Sequence, residues 1–185
     1  MRIISGSRRG HKLYEFEGMD IRPTTDRVKE SIFNLIQSYV PGARVLDMFA
    51  GSGALSFEAL SRGAVSAVLT DSDRRSVDII KKNAEALKFS ELCDIVNGSC
   101  FDLLKRCGKG SFDIVFMDPP YNKGFIEPAL AEIAEREILS EDGIVVLESD
   151  NTDFSGEFQD LEIVKQRRYG RTYITVYRRA GAHGE

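Results

Sequence analysis

The chain has 185 residues, 42% hydrophobic and 29% charged, with a net charge of −4. That fits one soluble domain with a sizeable core and excludes a low-complexity or fibrous chain. The longest apolar runs are strand-sized and no secretory leader is expected, so the chain reads as cytoplasmic without a membrane span. Cys93, Cys100 and Cys107 match neither a zinc nor a disulfide spacing, and His11 and His183 stand near opposite ends, so no metal site is expected.

The net charge hides a segregation. Four Lys and Arg fall in residues 1–12 and six in residues 165–179, both stretches without an acid, which leaves 15 cations against 29 acids elsewhere, about −14. Such a body repels polyanions, which would be odd for a nonspecific nucleic-acid coat but is compatible with a local basic docking face; the same residues also fit solvated outer faces of strands.

In chain order, residues 2–17 hold two short extended runs around the Gly-rich, basic "SGSRRGHK", a hairpin signal. After "RPTTD", Val28, Ile32, Leu35 or Ile36, and Tyr39 recur at helical spacing, with Thr25 or Asp26 able to cap, and Pro41-Gly42 ends the helix. Strand and helix then alternate: strand "ARVLDMF", helix "GALSFEALSRG", strand "SAVLT", helix "DRRSVDIIKKNAEAL", strand "CDIVNG", short helix "FDLLKRC" and strand "FDIVFMD". A helix from about Glu127, a strand "GIVVLES" and two strand-like halves about Tyr169-Gly170 complete the chain. This alternation predicts right-handed crossovers and a doubly wound α/β sheet with an antiparallel edge.

The first strand ends in "VLDMFAGSGALS", where Asp47 precedes Gly51-Ser-Gly53 and a helix start. Glycines allow a tight turn and close backbone approach, and the helix N-terminus offers free N–H groups. Asp71 lies 20 residues after Gly51, where a ribose hydroxyl is expected to donate, although an N-cap role also fits. These features suit a nicotinamide dinucleotide or S-adenosylmethionine. A carboxylate at Asp47 repels a pyrophosphate but suits a methionine ammonium, and Ser56 stands where a dinucleotide loop takes Gly or Ala. The methyl donor is therefore favoured.

The fourth strand runs into "DPPYNKG". First and fourth strands are commonly neighbours at the switch point of such a sheet, so the loops after Asp47 and Asp118 share one crevice. An exocyclic base amine is a poor nucleophile because its lone pair is delocalised into the ring. Asp118 and the Pro119 carbonyl can accept its two N–H groups and aim the lone pair. Consecutive prolines favour extended backbone without a competing donor, and Tyr121 offers a stacking face. Read blandly, the same residues make a rigid loop with a half-buried tyrosine.

"LDMFAGSG" and "DPPY" resemble the cofactor loop and catalytic motif of class I amino-methyltransferases. "RPTTDRVKESIFN", residues 22–34, resembles the signature of the bacterial 16S ribosomal RNA guanine-N2 methyltransferases of the RsmD type. The likeness covers nearly the whole chain. It implies a doubly wound, mostly parallel seven-stranded sheet (Rossmann-like), with an antiparallel C-terminal hairpin and a small N-terminal β-hairpin extension. It divides the chain into a basic extension (1–21), a methyltransferase domain (22–179) and a tail (180–185). It implies that Asp47, Gly51 and Gly53 hold the methionine end of S-adenosylmethionine, and Asp71 the ribose. Ser99 and Cys100 lie beside the adenine, Arg22 and Thr24 over cofactor or substrate, and Asp118, Pro119 and Tyr121 at the target base. Ser99 departs from the family's aspartate, with Asp102 as a possible substitute. Arg8, Arg9, Lys12 and Lys123 are the expected phosphate contacts. The expected partner is 16S rRNA, presented by an assembled or partly assembled small subunit, and the expected state a monomer. DNA adenine, a protein glutamine and a noncatalytic RNA-binding module stand as alternatives.

Overall fold

The computed structural model describes residues 1–16, 26–120, 123–150, 158 and 160–181. Seven strands form one sheet: β1 (Arg44–Asp47), β2 (Ser66–Asp71), β3 (Cys93–Asn97), β4 (Phe112–Met117), β5 (Leu139–Ser149), β6 (Leu161–Tyr169) and β7 (Thr172–Arg179). Their order is β3-β2-β1-β4-β5-β7-β6. The first five run parallel, while β7 is antiparallel to both β5 and β6. Five α-helices accompany them: α1 (Asp26–Leu35), α2 (Ala54–Ser61), α3 (Arg74–Leu87), α4 (Cys100–Leu104) and α5 (Ile126–Glu135).

The two-residue period of the strands splits the core in two. Val45, Ile114, Phe116, Ile144 and Val146 pack with residues of α1, α2 and α3. Leu46, Val115, Met117, Val145 and Leu147 pack with Cys100, Leu104, Leu130 and Ile133 of α4 and α5. Apolar side chains on both faces are what a parallel sheet covered by helices requires.

The N-terminal segment forms the expected hairpin in a short form. Arg2 and Lys12 form an antiparallel bridge; Leu13 N–H donates to the Met1 carbonyl (3.0 Å), Ile3 N–H to His11 (2.9 Å) and Gly10 N–H to Ile3 (2.9 Å), and residues 4–7 turn onto α2. Ile4 and Ser5 donate their N–H groups to the two oxygens of Glu58 (2.8 and 3.0 Å), and Ser7 donates to the Ser61 carbonyl (2.8 Å). Gly6 is obligatory there, because a Cβ on it would stand 1.8 Å from that carbonyl oxygen. Ile3 and Leu13 join the core shared by α1, α2 and α3, so the extension is bound into the body. Glu58 is fully buried and also accepts from Arg62 Nε (2.7 Å) and faces buried Lys29 Nζ (3.4 Å). Burial pushes the Lys29 ammonium below its usual range against the pull of Glu58.

α1 stops at Leu35, a turn earlier than its apolar spacing suggests. Tyr39 N–H bonds to Ile36 and Ala43 N–H to Val40 in successive tight turns before β1. Asp26 occupies the first helical turn facing Arg2, and Thr25 lies outside the described residues. β5 begins at Leu139, four residues earlier than expected, with Leu139 opposite Phe112.

Candidate active site

β1 and β4 are adjacent and parallel with Asp47 opposite Phe116. Asp47 and Asp118 therefore leave the sheet side by side at its carboxyl edge, the end where β1 to β5 finish. Between them the chain after β1 turns sharply. Met48 N–H donates to the Phe116 carbonyl (3.1 Å) and Ala50 N–H to Thr70 (3.0 Å), pinning the loop to both neighbouring strands. Gly53 then takes a left-handed conformation, φ 80°, and a Cβ there would fall 2.4 Å from the Phe57 ring. Both facts require glycine. Gly51 is also left-handed, φ 55°, but a Cβ on it would meet open space, which is what a backbone approached by a ligand demands.

Three carboxylates surround this turn. Asp47 is 2% exposed and accepts from Ser56 Oγ at 2.9 Å. Burial pushes its carboxyl up to about 7, opposed by the Ser56 hydrogen bond and reinforced by the negative charges of Asp118 and Asp71. Asp71 accepts Gly51 N–H on one oxygen (2.9 Å) and Asp73 N–H on the other (2.8 Å). It thus holds the glycine turn against the end of β2, and Asp73, not Asp71, caps α3. A crevice that already resists one more negative charge favours a cationic ligand and disfavours a pyrophosphate.

Asp118 is half-buried, Pro119 buried and Pro120 exposed; Tyr121, Arg22 and Thr24 lie outside the described residues. Ser99 ends the turn after β3 at the cap position of α4, exposed, with its hydroxyl not spent on a helix N–H. Asp102 faces outward to Lys105 (3.2 Å). Cys100 is buried, and desolvation pushes its thiol up to about 11, so it acts as a packing group. Phe49 of the glycine turn, Phe101 of α4 and Phe125 beyond "DPPY" pack together, with ring centres 5.7 Å (Phe49–Phe125) and 6.2 Å (Phe101–Phe125) apart. The sequence reading missed this apolar wall, although three phenylalanines just past three strand ends were its signal.

Two polar residues were also missed. Ser56 was noted as a departure from a glycine pattern; its hydroxyl serves Asp47. Asn83, a buried amide on the apolar face of α3, donates to the Ser52 and Tyr14 carbonyls and accepts Tyr14 N–H. It joins the N-terminal segment to the glycine turn.

The proposed phosphate contacts are dispersed. Arg8 donates from Nε to the Leu87 carbonyl (2.6 Å) and lies over Phe89 (5.3 Å). Arg8 and the exposed Arg9 therefore sit at the C-terminal ends of α2 and α3, the amino edge of the sheet, away from Asp118. Lys12 is exposed on the N-terminal segment, and Lys123 is exposed at the carboxyl edge after "DPPYN".

A family model described as "Conserved hypothetical protein 95" matches residues 1–178. The Haemophilus influenzae ribosomal RNA small subunit methyltransferase D is 39% identical over 179 residues, covering 96% of this chain and 93% of its own. The chain belongs to this family. YlbH of Bacillus subtilis is 38% identical over 184 residues, covering 98% of this chain and all of its own. The solved structure of yhhF from Escherichia coli superposes with a TM-score of 0.87 at 34% identity over 97% of both chains. The sheet order and antiparallel end are those of class I methyltransferases, as the family resemblance implied.

Proposed function

We propose that this protein transfers a methyl group from S-adenosylmethionine to the exocyclic N2 of a guanine in 16S rRNA of the small ribosomal subunit. The observation that carries the reading is the pairing of β1 with β4, which sets the Asp47–Gly53 turn and Asp118-Pro119 on two walls of one crevice. The rRNA methyltransferase name of a relative matched along nearly its whole length supports the substrate class.

The residues fit the cofactor by charge and by space. Asp47, Asp71 and Asp118 make the crevice acidic, which suits a ligand carrying a sulfonium and an ammonium. Gly51 leaves its backbone open to a methionine end, and Asp71, with each oxygen using one N–H bond, has acceptor capacity left for a ribose hydroxyl. Ser99 and the Cys100 backbone border the adenine side, where the Phe49-Phe101-Phe125 wall excludes water. When bound, the cofactor supplies an electrophilic methyl group. Asp118 and the Pro119 carbonyl would accept the two N–H groups of the base amine, turning its lone pair toward the methyl and stabilising positive charge on nitrogen; as the sulfur leaves as a neutral thioether, the proton shed by the methylated nitrogen would pass to Asp118 or solvent. The family resemblance assigns base stacking to Tyr121 and cofactor or substrate contact to Arg22 and Thr24. Catalysis is thus positioning and electrostatics. The base must leave its stack to enter, so an exposed loop nucleotide of a partly or fully assembled subunit is the target, met by a cytoplasmic monomer.

Incubation of labelled cofactor with small subunits lacking the modification, genomic DNA or release factor tests this. Label in 16S rRNA, mapped to guanine N2, is expected. Label confined to DNA or to the protein contradicts it.

A further inference from the structure

The fold divides the basic run of residues 165–179 into two groups. Lys165 Nζ donates to the Leu35 carbonyl at the end of α1 (2.9 Å), Arg178 pairs with Glu162 (2.5 Å) and Arg179 with Glu137 (2.9 Å). Arg178 and Arg179 are neutralised by carboxylates within the protein, and Lys165 is tied to the end of α1. The three nearer the β6–β7 turn, Arg167, Arg168 and Arg171, are exposed and pair with no carboxylate among the described residues. Arg168 Nε donates to the Gly170 carbonyl (2.8 Å), and its guanidinium lies over the Tyr173 ring (5.4 Å). One cation of the turn is therefore held in place at an exposed position, as preorganised binding of an anion requires.

The sheet register fixes where this turn stands. Met117 lies opposite Leu147, Leu147 opposite Thr175, and Ser149 opposite Tyr173. Continued by the same steps, the ladder puts Tyr173 level with Pro119, two strands away, about 10 Å across the sheet. The turn at residues 170–171 rises beyond that level, on the same edge as Asp118, whereas Arg8 and Arg9 occupy the opposite edge. A nucleotide whose base enters the crevice leaves its flanking phosphates at this edge, on a body that otherwise carries an excess of acids.

We propose that the β6–β7 turn, through Arg167, Arg168 and Arg171, grips the phosphate backbone of the rRNA strand flanking the target nucleotide. This rests on reading the crevice as an rRNA methyl-transfer site.

The test is the triple variant R167Q/R168Q/R171Q, assayed for methyl transfer to unmodified small subunits across a salt series, with cofactor thermal shift and affinity for protein-free 16S rRNA measured in parallel. Removing one cation from a single-strand phosphate flattens the log–log salt dependence by about 0.7, so removing three changes the slope by about 2. The expected result is a kcat/KM lowered about tenfold or more, the loss falling on KM, with that flatter slope, weaker rRNA binding and an unchanged cofactor shift. The single R171Q, at a side chain with no described partner, keeps the test open where the triple variant does not fold, with about a third of the slope change expected. A variant within twofold of wild type with the same slope overturns the proposal, as does an equal loss in R106Q, whose exposed side chain lies just before β4 at the amino edge. A loss on intact subunits with unchanged affinity for protein-free rRNA also overturns it, since the turn then meets a ribosomal protein. If the wild-type protein labels no rRNA substrate at all, the reading of the crevice itself falls; transfer by wild type with an unaffected variant removes only the role of the turn.

Discussion

Replacing Asp47 by asparagine should make the free protein more stable at pH 8 while removing its response to cofactor. The Asp47 carboxyl is moved from 3.8 to about 7, chiefly by burial. At roughly 1.4 kcal/mol for each unit, ionising this group in the folded state costs about 4 kcal/mol above pH 7. The unfolded chain releases the proton near pH 4 and the folded chain near pH 7, so between those values the folded state binds more protons and wild-type stability falls as pH rises. Asparagine has no such slope. It keeps an acceptor for Ser56 but turns the second oxygen into a donor, which loses about 1 kcal/mol of hydrogen bonding. The net expectation at pH 8 is a gain of about 3 kcal/mol, or roughly 5–10 °C in Tm for a chain of this size. At pH 4 the order reverses slightly, because both side chains are then neutral. Thermal melts from pH 4 to pH 8, with and without S-adenosylmethionine, read both effects. Wild type should be raised by the cofactor, increasingly so toward pH 8, and the variant hardly at all. A variant destabilised equally at pH 5 and pH 8 would refute the reasoning, since the crevice would then not be resisting the charge on Asp47.

Other substitutions probe the rest of the site. Gly53→Ala drives a Cβ to 2.4 Å from the Phe57 ring at φ 80° and should cost about 2–4 kcal/mol in denaturant melts. Gly51→Ala, with open space around it, should cost only about 1 kcal/mol yet weaken cofactor binding measured by calorimetry. Glu58→Gln leaves buried Lys29 without its counter-charge and should lower stability by roughly 3–5 kcal/mol, read as a drop of about 10 °C. Ser99→Asp supplies a charged acceptor beside the adenine, so cofactor Kd should fall about fivefold, near 1 kcal/mol.

The parallel core was legible because each strand announces itself by apolar runs that end in a small or acidic residue. That pattern set Asp47 and Asp118 on adjoining strands before any contact was known. The glycine turn was legible for the same local reason, while the separate demands on Gly51 and Gly53 needed the Phe57 ring, which only the fold brings near. What stayed hidden were contacts between residues far apart in the chain. Glu58 looks like one more solvent-facing acid on a helix, yet it holds the backbone of Ile4 and Ser5, 53 to 54 residues away. Arg8 reads as a free cation until Leu87, 79 residues on, claims its Nε. The basic C-terminal run could be seen as a unit, but only long-range contacts show that Arg178 and Arg179 are paired internally and Lys165 is tied to α1, and only the register shows that the turn stands at the carboxyl edge.

Asp118 offers the most direct test of methyl transfer at the meeting of β1 and β4. Asp118→Asn should reduce transfer to unmodified small subunits by about 10²–10³-fold, far more than it weakens binding of the cofactor, which should still raise Tm. Turnover within a few fold of wild type would contradict the account.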